Sequence, residues 1–265
     1  MKLGIFDSGL GGVLMTKALH QRFPHIDMFY YGDTLHMPYG NRSEDAIYEY
    51  THSAMEYMFS QDCVLIILAC NTASATALRR LQQEYLPRHY PDRNILGVVV
   101  PTLETALELG HKKIGMIGTN YTVRSGVYEQ ELGKLNPDIK LYAKETPLLV
   151  PLIEHNGEKW VKDVLKDYLK PLTEKGIESL MLGCTHYSFL EKEIRELLGP
   201  EICLVCQDEM IPDKLEDYLG RHPEYSEKIS QGGHCDFVVS DLTENYIQAA
   251  HRIYGRDIVI NKKEG

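Results

Sequence analysis

Short apolar runs alternate along the chain with segments in which apolar positions recur every three to four residues. The runs read as strands buried on both faces: Leu3 to Phe6, Met28 to Tyr31, Val64 to Leu68, Leu96 to Val99, Ile114 to Ile117, Ile139 to Ala143, Leu180 to Leu182, Ile202 to Val205 and Phe237 to Val239. The helical period predicts helices over Ser43 to Phe59, Ala73 to Tyr85, Leu103 to Leu109, Val123 to Leu135, Trp160 to Thr173, Phe189 to Leu198 and Met210 to Leu219. Strand and helix in alternation predict an α/β fold with mainly parallel sheets covered on both faces. No low-complexity linker divides the chain, and turn chemistry makes Gly97 to Pro101 and Cys206 to Asp208 the places where it could pass between two lobes.

Two stretches echo two others. Lys2-Leu3-Gly4-Ile5-Phe6-Asp7-Ser8 aligns with Lys113-Ile114-Gly115-Met116-Ile117-Gly118-Thr119, and Leu68-Ala69-Cys70-Asn71-Thr72 aligns with Leu182-Gly183-Cys184-Thr185-His186, at nearly equal spacings. In the second pair a buried strand runs into a small residue, a cysteine and two polar residues at its C-terminal end, where open α/β sheets place their ligands. The echo predicts a duplicated half. Halves facing each other by pseudo-twofold symmetry would point both thiols into one cleft.

Composition narrows the partners. At roughly 150 residues per domain, 265 residues supply one to two domains. Lys plus Arg number 28 against 38 Asp plus Glu, a formal charge of −10, so a general basic surface and a nucleic-acid partner are not expected. No apolar stretch approaches the roughly 18 residues of a membrane span, and Asp7 comes too early for a signal peptide. A cytoplasmic protein with no membrane partner is therefore expected. Six cysteines are too few for a disulfide scaffold and are read as thiols. The eleven histidines form no H-E-x-x-H and no zinc-finger spacing with cysteine, which points away from a metal.

Cys70 ends an apolar strand just before a helix predicted from Thr72 or Ala73, and a helix N-terminus stabilises a thiolate. Cys184 is followed by Thr185 and His186, with the next helix expected from Phe189. Two facing thiols admit three chemistries. A single nucleophile, Cys184 with His186 as base, would make a hydrolase or transferase and leave Cys70 idle. A redox disulfide needs the sulfurs to meet at about 2.05 Å. A two-base proton transfer places each sulfur roughly 3–3.5 Å from a reacting carbon on opposite sides, hence about 6–7 Å apart. It inverts a stereocentre without a cofactor: one thiolate removes a proton from one face, and the opposing thiol delivers one to the other.

Asp7-Ser8-Gly9-Leu10-Gly11-Gly12 offers a carboxylate and backbone amides freed by glycine. It lacks the G-x-G-x-x-G spacing and a Walker lysine, so it does not support a nucleotide cofactor. Gly32-Asp33 with Pro38-Tyr39-Gly40 marks another tight turn. Cys203-Leu204-Val205-Cys206 has the C-x-x-C count, but its strand-like run assigns both thiols to the core, and Cys63 and Cys235 also read as structural.

Taken together, Phe6 to Gly12, Gly32-Asp33 with Pro38-Tyr39-Gly40, Ala69-Cys70-Asn71-Thr72-Ala73, Val150-Pro151-Leu152-Ile153-Glu154 and Gly183-Cys184-Thr185-His186-Tyr187 resemble the glutamate racemases of the aspartate/glutamate racemase superfamily, in family order along the chain. The resemblance implies two α/β lobes, residues 1–97 plus 208–265 and residues 98–207, with L- and D-glutamate interconverted in the cleft. It implies that Cys70 and Cys184 are the acid/base thiols, assisted by Asp7 and His186, with Glu154 a further acidic residue nearby. Ser8, Pro38, Tyr39, Gly40, Asn71, Thr72 and Thr185 match residues that hold the substrate, and Thr119 and Thr122 could share that work. His186 favours glutamate, since aspartate racemases tend to carry Glu there. The resemblance further implies a supply of D-glutamate for peptidoglycan, and it admits a homodimer. Ser188 and Cys206-Gln207 depart from the Pro and the Asp-Ser of many relatives. An aspartate racemase, a single-cysteine hydrolase and a non-catalytic amino-acid-binding protein are the alternatives. A Cys70→Ala variant that stays active would favour the hydrolase, and binding without deuterium uptake at the α-carbon would favour the binding protein.

Overall fold

The computed structural model describes residues 1–155, 157–255 and 258–264. Asn156, Arg256, Asp257 and Gly265, which fall within the lobes expected from the sequence, lie outside the described residues. Ten strands are described: β1 (Lys2–Asp7), β2 (Met28–Gly32), β3 (Cys63–Leu68), β4 (Asn94–Gly97), β5 (Lys113–Gly118), β6 (Lys140–Glu145), β7 (Ser179–Gly183), β8 (Cys203–Val205), β9 (Cys235–Val239) and β10 (Ile260–Lys262). They form two wholly parallel sheets, a six-stranded one in the order β10-β9-β2-β1-β3-β4 and a four-stranded one in the order β6-β5-β7-β8. The first four strands of each half repeat one order: β2-β1-β3-β4 in the larger sheet and β6-β5-β7-β8 in the smaller. The echoes between β1 and β5 and between the ends of β3 and β7 therefore occupy equivalent places.

The helices are α1 (Gly11–Arg22), α2 (Glu44–Ser60), α3 (Asn71–Arg80), α4 (Leu86–His89), α5 (Val99–Glu108), α6 (Asn120–Arg124), α7 (Val127–Leu135), α8 (Leu149–Glu154), α9 (Glu158–Thr173), α10 (Glu191–Leu198), α11 (Gln207–Arg221), α12 (Pro223–Ser226) and α13 (Glu244–Tyr254). Among the described residues, no helix is long and apolar enough to cross a membrane.

Both faces of each sheet are buried, which is why the strands are continuous apolar runs rather than alternating ones. Successive residues still go to opposite faces. Leu3, Ile5, Met28, Tyr30, Leu65 and Ile67 enter one core, while Phe6, Phe29, Tyr31, Ile66 and Leu68 enter the other. In the smaller sheet Leu180 and Leu182 face one core and Met181 the other.

Several boundaries differ from the pattern reading. The run Leu96 to Val99 is not one strand: β4 ends at Gly97 and α5 begins at Val99. The helix expected over Val123 to Leu135 is two, because Gly126 at φ +66° breaks it. Phe189 lies in a 3-10 turn spanning Thr185–Leu190, and α10 starts only at Glu191. The glycine stretch after Asp7 is not an open loop, since Gly11 and Gly12 form the first turn of α1. Cys203 is exposed at the edge of the smaller sheet rather than in the core, whereas Cys206 is buried.

Candidate active site

Four central strands end at residues proposed from the sequence: Ser8 follows β1, Cys70 lies just beyond β3, Thr119 follows β5 and Cys184 follows β7. Each lies at the C-terminal end of a parallel strand, the end at which such sheets present ligand-binding loops. The loops from the two sheets line one small pocket. Ser8, Pro38, Tyr39, Gly40, Cys70, Asn71 and Thr72 come from the larger sheet's side, and Thr119, Cys184, Thr185 and His186 from the smaller sheet's side. Met37 and Val150, not assigned to the site from the sequence, also line it. Met37 adjoins the Pro38-Tyr39-Gly40 motif and Val150 opens the motif that ends in Glu154, but neither carries a group that would mark it for chemistry.

Cys70 caps α3 in extended conformation and is buried. Its sulfur lies 3.6 Å from the Ser8 hydroxyl. Burial, followed by the nearby Asp7 carboxylate, pushes the thiol up to about 12, against the lowering effect of the helix-start N–H groups and the Ser8 hydroxyl. The helix N-terminus expected to favour a thiolate is therefore outweighed.

Cys184 has a different neighbourhood. The short 3-10 turn after it brings the His186 ring back toward it, with Nδ1 3.8 Å from the sulfur. On the other side of the ring Nε2 lies 2.5 Å from Glu154 Oε1, at the end of α8. Burial works against a charged imidazole, but hydrogen bonds to Cys184 and Glu154 hold His186 well above its usual value. Glu154 is correspondingly lowered, its burial outweighed by the His186 contact.

Asp7 and Glu154 stand behind the pocket wall. Asp7 is fully buried; its Oδ1 accepts the Gly9 N–H at 2.8 Å and its Oδ2 accepts the Thr185 hydroxyl at 3.0 Å. Burial raises its pKa despite the His186 charge. Thr122 is also set back, sharing short hydroxyl contacts with Thr72 and Thr119 of 3.2 and 2.9 Å.

Glycine allows the two sides to close on each other. A Cβ on Gly11 would overlap the Thr185 side chain, and one on Gly40 would lie 2.5 Å from Thr119 Cβ. The enclosed space is about 20 Å³, room for about one water molecule. A larger cavity of about 580 Å³ runs beside β4 among α3, α5, α7 and α11, and none of the residues assigned to the site line it. Elsewhere Glu191, Cys206 and Glu209 bring possible metal-ligating atoms within 4.8 Å of one another. Arg195 already supplies a cation there, 2.6 Å from Glu191 and 3.7 Å from Glu209.

The sequence profile of the Asp/Glu/hydantoin racemases matches residues 11–205. The chain belongs to that family. A glutamate racemase of Aquifex pyrophilus is 38% identical over 269 residues, covering 100% of this chain and 98% of the other. The solved glutamate racemase isoform of Bacillus anthracis superposes with a TM-score of 0.90 at 27% identity, over 99% of this chain and 97% of that one. A glutamate racemase of Francisella tularensis, solved with D-glutamate, gives 0.87 at 26% identity over 100% and 97%. Two paired-cysteine loops, one from each sheet of a racemase-family chain, thus face one pocket. Gln207, which the sequence marked only as a departure, lies just past the stretch matched by the racemase profile and just behind Asn71, which it holds by two hydrogen bonds of 2.8 and 2.9 Å.

Proposed function

We propose that the chain interconverts L- and D-glutamate by moving the α-proton between Cys70 and Cys184. The observation that carries this reading is the pocket itself: two buried thiols from equivalent strand ends, each with its own polar neighbours, in a fold shared with glutamate racemases. With Cys184 as thiolate and Cys70 as thiol, Cys184 takes the proton from one face of the α-carbon. The electron pair left behind delocalises into the α-carboxylate, and Cys70 gives its proton to the opposite face. The sulfurs end with exchanged protonation states, ready for the other enantiomer.

A thiol is a far stronger acid than an amino acid α-carbon, so the site must stabilise the developing negative charge. Helix α3 aims its free N–H groups at the pocket from Asn71 and Thr72, and we assign these, with Ser8, Thr185 and the turn Pro38-Tyr39-Gly40, to holding the substrate. Thr119 and Thr122 support the Thr72 hydroxyl. Asp7 and His186 are the neighbours assigned to Cys70 and Cys184, with Glu154 fixing His186. Space for about one water does not admit an amino acid, so the two sides part for entry and close again, which excludes water during transfer.

The proposal divides the chain into lobes of residues 1–97 plus 208–265 and 98–207, the first carrying the larger sheet. Its wider part is a cytoplasmic enzyme providing D-glutamate for peptidoglycan, with a homodimer as the assembly to be sought by sedimentation velocity. The deciding experiment incubates the purified protein with L-glutamate and, separately, L-aspartate in deuterium oxide. Loss of optical activity with deuterium entry at the α-carbon for glutamate supports the proposal. The same for aspartate alone overturns the substrate, and neither change for either amino acid overturns the reaction.

A further inference from the structure

Gln207 opens α11, the first element after β8, and is only 1% exposed. Its Oε1 accepts Asn71 Nδ2 at 2.8 Å, and its Nε2 donates to Asn71 Oδ1 and to Thr102 Oγ1, both at 2.9 Å. Asn71 Oδ1 accepts a further hydrogen bond from the Tyr128 hydroxyl at 2.6 Å. Two buried side-chain amides are thus paired head to head, with α5 and α7 completing the ring of partners.

The pair joins the two sides of the pocket. Asn71 belongs to α3, which follows the larger sheet's β3, whereas Gln207 follows the smaller sheet's last strand. Asn71 is also the residue next to Cys70, and Cys70 caps the same helix. A buried amide that loses its partner is left without water to replace it, so the pair resists sliding or rotation. With its side chain held there, Asn71 presents its backbone N–H, rather than its side-chain amide, toward substrate.

We propose that Gln207 is a positioning residue for racemisation: by pairing with Asn71 it sets where the Cys70 sulfur stands relative to the smaller sheet's side of the pocket. This rests on the two-thiol reading above. Misplacement of a reacting group by about 1 Å can cost on the order of a hundredfold in rate.

The test uses Gln207→Met, which keeps the length but removes the hydrogen bonds, and Gln207→Glu, which keeps the shape but removes the donors. For each, kcat and KM are measured with L- and D-glutamate, together with the primary isotope effect of each α-deuterated enantiomer. Both variants should lose about tenfold or more in kcat. Slowing only the Cys70 step should raise the isotope effect for the enantiomer whose proton Cys70 takes and lower it for the other. Gln207→Glu should recover as the pH falls, because a protonated carboxyl again donates to Asn71. If Gln207→Met does not fold, Gln207→Glu carries the test alone. Turnover within about twofold of the parent would overturn the proposal, as would a loss that tracks the unfolded fraction with both isotope effects unchanged. Failure of the parent protein to exchange the α-proton at all overturns the underlying reading, a distinct result.

Discussion

His186 Nε2 lies 2.5 Å from Glu154 Oε1, and the same ring's Nδ1 lies 3.8 Å from the Cys184 sulfur. Cys70 has no such chain; it faces the Ser8 hydroxyl and the Asp7 carboxylate. A negative charge on Cys184 therefore has an imidazolium beside it, while one on Cys70 meets another negative charge. In the proposed reaction the two thiols therefore work in unlike surroundings, an imidazole and its carboxylate partner beside Cys184 and a hydroxyl and a carboxylate beside Cys70.

Glu154→Gln should reveal that inequality. The amide still accepts a hydrogen bond but removes the charge that helps keep His186 protonated, so the His186 pKa should fall. The alkaline limb of the kcat profile should then move to lower pH, and kcat should drop by about a hundredfold, the lower end for loss of acid/base assistance. Profiles recorded with L- and with D-glutamate check this; an unmoved alkaline limb in both would detach Glu154 from the chemistry.

The same pair makes stability depend on pH. His186 is raised, so its contribution is complete below the unfolded value of 6.5 and is lost as pH rises through the higher folded value. Glu154 is lowered, so its contribution is complete above 4.5 and is lost as pH falls through the lower folded value. The stability difference between the parent and His186→Asn should be greatest between about pH 4.5 and 6.5 and shrink on either side. Urea unfolding of both proteins across that range measures it, and a difference independent of pH would remove the ion pair from the account.

The strands were legible because both faces of each sheet are buried, so Val64 to Leu68 and Leu180 to Leu182 announce themselves without alternation. The two cysteines were legible because the same strand-end pattern occurs twice. Helix α1 was hidden by Gly11 and Gly12, whose composition suggests a loop; their small size instead lets α1 press against Thr185 and Asp7. Helix α13 has an apolar side of Tyr246, Ala250 and Tyr254 but lies outside the helices that the period predicts, and three-residue β10 carries too little pattern to register. Gln207 could not be found by spacing, since Asn71, Thr102 and Tyr128 lie far from it in sequence and meet it only in the fold.

Gly11→Ala sets propensity against packing. Alanine gains about 1 kcal/mol over glycine in a helix interior, and at most that at Gly11, the first residue of α1. Here the added methyl would overlap the Thr185 side chain and lie 2.8 Å from its backbone carbon, so a neighbour that cannot rotate away must shift. Overpacking of this kind costs about 1–3 kcal/mol, and packing should win. Net destabilisation in urea unfolding, with a rise in KM from the displaced Thr185, is expected; a more stable variant with parental KM would show that α1 can move freely against that loop.

The two cysteines give the sharpest separation of mechanisms, because removing one leaves half of a two-base reaction intact. In Cys70→Ala, Cys184 can still take the α-proton of the enantiomer that presents it, exchange it with solvent and return it to the same face. That variant should neither invert L-glutamate nor invert D-glutamate, yet it should still place deuterium at the α-carbon of one of them. Cys184→Ala should do the same for the other enantiomer only. Both thiols are buried members of the cores, so replacing one sulfur by hydrogen should lower the unfolding midpoint modestly without unfolding the chain. NMR of the α-proton with chiral chromatography of the product reads exchange and inversion separately. If Cys70→Ala keeps full turnover, Cys184 and His186 act as a one-cysteine site; if both variants exchange both enantiomers, a base outside the thiol pair is at work.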